Sequence, residues 1–385
     1  MDLDNLDTFR IATCDLNGQM RGKRMPQKDQ RKLASGDLRM PLSVLNVDIW
    51  GADIINSPLL FASGDGDGYL LPTNRGPVPM PWLDQPSALV GMWMFEEDGR
   101  PFEGDPRHAL AQILDRYAAR GWQVVAATEL EFYLIDDSAE SLRPPKDPAS
   151  KRKIDSSAIL SLQQLDAFEA FFSELYQSCA QMGINAQAAS SEAGIGQFEI
   201  SLQHGDALRI ADDTWLFKTL LKGLARKHGY AASFMAKPYP NDAGNGLHLH
   251  FSVIDEAGEN IFDDGTKQGS PLLQNAIAGC LATMRAATLG FAPHANSYTR
   301  MDPENHAPTS ICWGYENRTA ALRIPAGAHR ARRIEHRVAG GDINPFLTLS
   351  LILGAALLGI EDDLTPPPPI TGNAYSQDLP QLIHS

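Results

Sequence analysis

Three stretches of the chain alternate apolar residues with polar or charged ones at the two-residue period of a β-strand. They are residues 128–135, 246–252 and 333–337. Successive side chains of a strand point to opposite faces, so each stretch collects its polar side chains on one face. The polar positions are Glu129 and Glu131 in the first stretch, His248, His250 and Ser252 in the second, and Arg333, Glu335 and Arg337 in the third. One such strand alone is also typical of a half-exposed sheet with a solvated face, but three together favour a shared polar site.

Residues 191–199 form a predicted loop between two strands, and their glycines allow a tight turn that brings Glu192 and Glu199 together. No basic residue lies near them in the sequence, and like charges held together need a cation. The candidate ligands are five carboxylates and one imidazole: Glu129, Glu131, Glu192, Glu199, Glu335 and His248. This set suits Mg²⁺ or Mn²⁺ better than zinc, for which the chain has neither Cys-x-x-Cys nor His-Glu-x-x-His.

Turn and capping signals predict the other elements. Asn17-Gly18 lies between two strand-like runs and predicts a hairpin over residues 9–24. Asp105 followed by Pro106 is typical of a helix start, and Gly121 of its end. Further predicted helices cover residues 162–182, 210–228, 272–289 and 345–360, and further strands cover residues 93–97, 122–135, 184–190 and 197–202. A break at residues 98–104 predicts two domains, residues 1–98 and residues 99–385.

Composition excludes some classes of protein. The chain has 385 residues, of which 43% are apolar, enough for a large core. Its formal charge of −14, without a Lys/Arg-rich block, argues against a nucleic-acid partner. Four scattered cysteines predict reduced thiols in a cytoplasmic protein, and the N-terminus lacks the apolar core of a signal peptide. The apolar run at residues 347–360 is too short to span a bilayer, so we expect no membrane anchor.

Several ordered motifs together resemble those of the glutamine synthetase family. They are Glu-x-Glu-Phe-Tyr from Glu129, the loop from Glu192 to Glu199, Asn245-Gly246-Leu247-His248-Leu249-His250, Asn296-Ser297-Tyr298-Thr299-Arg300, Asn317-Arg318 and Arg332-Arg333-Ile334-Glu335-His336-Arg337. Strands alternating with helices would by default predict a parallel sheet. The resemblance instead implies an α+β fold, with a small N-terminal β-grasp-like domain followed by a large catalytic domain whose curved antiparallel sheet is backed by helices.

The resemblance also implies a reaction and residue roles. Such synthetases phosphorylate the side chain of glutamate with ATP, and an amine then attacks the acyl phosphate. Glu131, Glu192 and Glu199 are expected to hold the divalent ion nearer glutamate, and Glu129, His248 and Glu335 the ion between the phosphates. The remaining expected roles are amino-acid binding by Gly244, Asn245, Arg300 and Arg337, contact with the transferred phosphoryl group by Arg318, and nucleotide binding by His250, Ser252, Arg323 and Arg333. A surface ion pair is the alternative for any single arginine.

Two positions depart from the ammonia-using members of that family. His306 stands where they carry a glutamate in the flap over the amine site, and Ala243 stands where they carry an asparagine that helps to hold glutamate. This pattern resembles the branch that joins glutamate to polyamines, ethanolamine or alkylamines, so His306 is a candidate catalytic residue. Trp313 either lines the amine pocket or packs beneath it. The alternatives are glutamine synthetase using ammonia, and a catalytically silent relative that binds ligands or partners.

The resemblance finally implies a ring-shaped homo-oligomer, in which the small domain of one subunit closes the active site of the next. The hairpin at residues 9–23 and the turn at residues 64–68 are expected at that contact. After Asn373-Ala374-Tyr375 the family usually continues through more helices, whereas this chain ends at Ser385. We therefore expect a shortened C-terminus, with weaker stacking of two rings but no loss of ring closure.

Overall fold

The computed structural model describes residues 3–62, 64–303 and 306–383. Its strands are β1 Thr8–Cys14, β2 Met20–Pro26, β3 Leu38–Pro41, β4 Asp67–Pro79, β5 Ala88–Phe95, β6 Gln123–Ile135, β7 Ala186–Ser191, β8 Gln197–Asp206, β9 Ala231–Ser233, β10 Leu247–Ile254, β11 Trp313–Tyr315, β12 Leu322–Ile324 and β13 Ile334–His336. Its α-helices are α1 Lys32–Ser35, α2 Pro58–Phe61, α3 Pro106–Ala118, α4 Leu162–Ala167, α5 Glu169–Met182, α6 Ala207–Lys227, α7 Pro271–Met284, α8 Thr288–Phe291, α9 Ala295–Arg300 and α10 Pro345–Glu361.

The first five strands form a mixed sheet in the order β2-β1-β5-β4-β3. β1 and β2 are antiparallel, and Gly18 takes a φ of 74° in the turn between them, so the predicted hairpin is confirmed. β1 also pairs in parallel with β5, which agrees with the β-grasp-like arrangement expected from the sequence. Phe9, Ile11 and Val90 are buried in a core that belongs to this sheet.

The other eight strands form a large curved sheet in the order β11-β12-β13-β10-β6-β8-β7, with β9 paired to β6. Among the described residues its pairings are antiparallel, apart from that of β11 with β12. The α+β fold with an antiparallel sheet is therefore confirmed, and the default parallel sheet does not form. The three predicted polar strands are β6, β10 and β13, which lie side by side.

Helices pack against the large sheet and against each other. α6 contacts β6 and β8, while α10 contacts α3, α6 and α7. α10 buries residues around most of its circumference, as its apolar sequence predicts. The side chain of Asn344 caps α10 by accepting hydrogen bonds from the backbone of Phe346 and Leu347, and its Nδ2 donates to the carbonyl of Asp15 at 2.8 Å. This residue therefore joins the helix layer to the small sheet.

Two predicted helices differ from the observed ones. The helix predicted over residues 162–182 is divided into α4 and α5, because Phe168 leaves helical geometry with φ −106° and ψ 23°. Its ring is buried edge-on against Phe198 of β8, so tertiary packing overrides the helical pattern. The helix predicted over residues 272–289 ends at Met284, and α8 follows as a separate turn.

No helix within the described residues combines the length and the apolar composition needed to cross a bilayer. α10, the long apolar helix near the end of the chain, has 17 residues.

Close packing of α7 on α10 gives a prediction about stability. A Cβ atom on Gly359 of α10 would lie 2.1 Å from the carbonyl oxygen of Asn275 in α7, and backbone cannot move aside as a side chain can. Gly359→Ala is expected to lower the free energy of unfolding by about 2 kcal/mol, the usual scale of an overpacked core. Chemical denaturation with a two-state fit measures this change.

The matched control is Gly354→Ala in the same helix, where the added Cβ would be 3.4 Å from the side chain of Ile113, an ordinary contact. Because alanine favours helix, this change should be neutral or stabilising by up to about 1 kcal/mol. Equal effects of the two substitutions would contradict the proposed backbone contact.

Candidate active site

Strand register brings the predicted metal ligands together. Across β6 and β10, Glu129 is paired with His248, and across β6 and β8, Glu131 is paired with Glu199. Across β10 and β13, His250 is paired with Glu335. Cross-strand partners have neighbouring side chains, so four strands deliver these groups to one face of the sheet. Glu192 joins them from the loop between β7 and β8.

Glu129 lies between two histidines. Its Oε2 is 3.0 Å from His248 Nδ1, and its Oε1 is 3.2 Å from His250 Nε2. Burial alone would raise the pKa of Glu129, but the hydrogen bonds and positive charge of the histidines outweigh burial and lower that pKa well below its usual value. Glu129 is therefore held as a carboxylate at the centre of the cluster.

Glu192 and Glu199 have the opposite electrostatic environment. Burial, followed by repulsion from Glu131, raises the pKa of Glu192 to about 7. Burial, followed by repulsion from Glu129 and Glu131, raises the pKa of Glu199 to about 9. Oxygen atoms held close together against their own repulsion form a donor set that fits a hard divalent cation. Ligand atoms of Glu129, Glu199 and His248 also lie within 4.8 Å of one another, as do those of Glu129, His250 and Glu335.

Glu335 connects the carboxylate cluster to the arginines. The side chain is 1% exposed, and its two oxygens accept hydrogen bonds from Arg337 Nη1 and, at 2.8 Å, from Arg323 Nη1. Burial would raise the pKa of Glu335, but His248 and the arginines together hold it below its usual value. Arg323 and Arg337 are thus fixed beside the predicted metal ligands.

Arg300 enters the site from the end of α9 through a gap left by glycines. It is buried, and its Nη1 donates to the carbonyl of Val338 at 2.9 Å. A Cβ atom on Gly246 would lie 2.7 Å from Arg300 Nη2, and one on Gly244 would lie 2.7 Å from Arg300 Cγ. The Gly246 amide also donates to Glu131 Oε2. The two glycines therefore let the guanidinium approach the sheet closely.

Asn245 points away from the open part of the site. Its Nδ2 donates to the carbonyls of Ser233 and Met235, and its Oδ1 accepts from Gln197 Nε2 at 3.0 Å. Gln197 also donates to the carbonyl of Gly244. The side-chain amide of Asn245 is thus engaged within the protein, and so is its backbone, which donates to the carbonyl of Ala236 and accepts from the amide of Gly341. Its substrate-binding role stays a prediction.

A cavity of about 610 Å³ opens beside the cluster on the same sheet face. Its wall includes the predicted nucleotide residues His250, Ser252 and Arg333, and also Glu129. Two of these predicted nucleotide residues contact each other, because Arg333 Nε lies 3.3 Å from His250 Nδ1. Sequence reasoning did not select further polar wall residues because none of them belongs to a motif that it used; they include Gln187, Ser201, His204, Asn260 and Arg330.

Two of the predicted site residues, Arg318 and His306, are exposed. Arg318 is exposed on the loop before β12, although its charge lowers the pKa of Glu192 and so acts on the cluster. His306 is exposed with a left-handed φ of 55° and follows residues outside the described part of the chain. Trp313 is buried, and its Nε1 donates to the carbonyl of Pro367 at 2.7 Å, so it packs beneath the surface. Tyr375, which sequence reasoning did not select, lies near Arg337 and Arg300, whose charges oppose the effect of burial on its pKa.

A buried acidic cluster flanked by arginines and open to a cavity is the arrangement that metal-assisted phosphoryl transfer requires, so fold and site together define an enzyme. The sequence profile described as "Glutamine synthetase, catalytic domain" matches residues 103–383. The chain therefore belongs to the glutamine synthetase family.

Relatives in this family include enzymes that act on amines. Gamma-glutamylputrescine synthetase PuuA of Escherichia coli strain K12 is 36% identical, over 97% of this chain and 80% of PuuA. Glutamate-isopropylamine ligase of a Pseudomonas species is 32% identical, over 96% of this chain and 82% of that ligase. The solved structure titled "GmaS/ADP complex-Conformation 1" superposes with a TM-score of 0.85 at 27% identity, covering 99% of this chain and 86% of GmaS.

The raised pKa of Glu199 gives a prediction for the metal-free protein. Because the folded pKa of about 9 exceeds the ordinary value of 4.5, the carboxyl group destabilises the fold increasingly as pH rises from 4.5 towards 9. Glu199→Gln removes the charge, so in chelator at pH 8 its melting temperature should exceed that of the wild type, and the two should converge near pH 4. Differential scanning calorimetry at both pH values makes the measurement.

Glu199→Gln should also abolish the rise in melting temperature that Mg²⁺ or Mn²⁺ causes. It should reduce turnover at least about 100-fold, which is the lower end of the effect seen when a group that stabilises transition-state charge is lost. Glu140→Gln, an exposed position in the loop after β6, is the control and should leave both responses unchanged. A Glu199→Gln protein that keeps the full metal response would show that Glu199 is not a ligand.

Proposed function

We propose that the protein is an ATP-dependent ligase that joins glutamate to an organic amine as a γ-glutamyl amide, through γ-glutamyl phosphate. The observation that carries this proposal is that strand register gathers predicted ligands on one sheet face, where the buried Arg337 donates to Glu335 and the buried Arg300 lies near Glu131. The similarity to the putrescine and isopropylamine enzymes supports an amine as second substrate.

The residues support a division of labour along the sheet. Arg300 and Arg337 would bind the carboxylates of glutamate, because a guanidinium makes paired, charge-assisted hydrogen bonds and stays charged. Arg323 and Arg333 would contact the nucleotide phosphates beside the cavity, and Arg318 the transferred phosphoryl group. An oxygen of the γ-carboxylate attacks the γ-phosphorus of ATP and ADP leaves. The amine nitrogen then attacks the acyl carbon, phosphate leaves, and the nitrogen loses a proton.

Two divalent ions, Mg²⁺ or Mn²⁺, would fit the six ligands: Glu131, Glu192 and Glu199 towards glutamate, and Glu129, His248 and Glu335 towards the phosphates. Bound there, such ions supply neutralisation of phosphate and carboxylate charge. The mutual repulsion of these carboxylates in the metal-free site supports this assignment.

His306 supports an organic amine over ammonia. Ammonium is the dominant form near neutral pH and needs an anionic group to hold it and take its proton, which a histidine does not supply. An alkyl amine also has an apolar body, worth about 0.8 kcal/mol per buried CH₂, so a pocket can select it without a dedicated anion. The amine pocket therefore needs shape more than charge.

An assay of ADP release tests the proposal. With ATP, Mg²⁺ and glutamate saturating, we expect kcat/KM for at least one of isopropylamine, ethanolamine and putrescine to exceed that for ammonium by about tenfold or more. A ratio at or below one for every amine would favour glutamine synthetase. No ADP release with any nitrogen donor would favour a catalytically silent relative.

His306→Glu is expected to raise kcat/KM for ammonium by about tenfold, because it places a carboxylate where ammonium must lose its proton. His306→Gln removes the imidazole without adding charge and is the matched control. Ammonia activity that rises equally in both variants would show that loss of the imidazole, rather than gain of a carboxylate, governs the choice of amine.

The active form that we propose is a ring-shaped homo-oligomer in which the small sheet of one subunit meets the next subunit. An exposed apolar loop after the small sheet's third strand supports this contact: Trp50 is 89% exposed and Ile55 is 83% exposed. Light scattering should give several times the chain mass of 42.0 kDa, and Trp50→Asp should shift the distribution towards monomer. A monomeric wild type at micromolar concentration would overturn this part of the proposal.

The four cysteines, all buried and unpaired, support a cytoplasmic location.

A further inference from the structure

The segment of residues 338–343, which follows β13, forms the back of the amino-acid side of the active site. The carbonyl of Val338 accepts the hydrogen bond from Arg300 Nη1. The amide of Gly341 donates to the carbonyl of Asn245 at 3.0 Å. The position of this segment therefore decides where the Arg300 guanidinium and the backbone around Asn245 lie.

The centre of this segment consists of Gly340 and Gly341, which have no side chains to hold it in place. A Cβ atom on Gly341 would be 2.9 Å from the carbonyl oxygen of Phe234, and one on Gly340 would be 2.7 Å from Asp342 Oδ1. Hydrogen bonds to the backbone must fix it instead.

Lys218 of α6 supplies such bonds from behind. Its side chain is buried, and its Nζ donates to the carbonyl of Gly341 at 2.9 Å and to that of Ile343 at 3.1 Å. A buried ammonium loses its hydration, so burial lowers the pKa of Lys218 to about 8. The carboxylate of Asp342 opposes this effect, because its negative charge raises the pKa of Lys218. It raises the pKa of Arg300 in the same way, so Asp342 lies near both cations. One buried lysine thus spans the gap between the helix layer and the amino-acid side of the site.

We propose that Lys218 is a positioning residue for the amino-acid substrate: by holding the carbonyls of Gly341 and Ile343, it fixes the segment against which Arg300 and Asn245 are placed. The inference rests on the proposed function, because it assumes that glutamate binds at Arg300. It does not extend to the nucleotide, since the cavity lined by His250 and Arg333 lies on other parts of the sheet.

The test uses Lys218→Met, which keeps most of the length and the apolar character of the side-chain stem but removes the donors. With the amine saturating, the KM for glutamate should rise about tenfold or more, while the KM for ATP should stay within about twofold of the wild-type value. Thermal upshift gives a second readout without turnover: the upshift caused by glutamate should fall, and that caused by ADP should remain. Lys227→Met is the control, because Lys227 lies at the end of the same helix, where its exposed side chain pairs with Glu174.

Lys218→Arg retains charge and donors with a different shape. It should recover part of the lost glutamate affinity, and it also replaces the methionine variant as the test protein if that variant does not fold. In that case the arginine variant must still raise the KM for glutamate more than the KM for ATP. Equal changes in both KM values, or no change in either, would overturn the proposal and leave Lys218 as a residue of the core. If the wild type neither turns over nor responds to glutamate while still responding to ADP, the proposed function fails first, and the inference falls with it.

Discussion

Repulsion between carboxylates on neighbouring strands is the constraint around which this molecule is built. Glu131 and Glu199 face each other across β6 and β8, where backbone pairing prevents them from moving apart. A surface cluster could relax into water, but here burial and repulsion together raise the pKa of Glu199 to about 9. The free energy of pairing a large sheet holds this arrangement in place, so the fold itself maintains a set of oxygen donors whose chemistry suits a divalent cation.

The arginines depend on the same sheet in a different way. A guanidinium is bulky, and Arg300 can approach the strand only because Gly244 and Gly246 have no side chains. Glycines give no packing of their own, so the nearby backbone must be held from outside, and Lys218 donates hydrogen bonds to the carbonyls of Gly341 and Ile343 that do so. Close approach at the front of the sheet therefore requires buried donors behind it.

The polar faces of the three strands were predictable because the alternation of polar and apolar residues can be read from a few neighbouring positions. The sequence therefore predicted Glu129, His248 and Glu335 as a group, and the register places them together. It did not reveal Arg330 or Tyr375, which reach the site from short 3-10 helices whose positions depend on distant contacts. It also did not reveal the break at Phe168, where packing overrides the helical pattern. The residue roles stay predictions, because a role depends on a bound ligand and not only on where a side chain lies. The domain boundary between residues 98 and 99 also stays a prediction, because it concerns whether each part folds independently.

The two sides of the site differ in how firmly they are built. On the acid side, Glu335 is 1% exposed and each of its oxygens is bonded to an arginine, so a substitution there would leave a buried charge without its partner. On the amine side, the predicted residue His306 is exposed, and a substitution there costs little stability. Under the roles proposed above, the position that selects the amine can therefore change without disturbing the buried cluster. Relatives at about one-third identity are named for putrescine and for isopropylamine, and an exposed position beside a buried cluster is a physical route by which the amine substrate can differ within one fold.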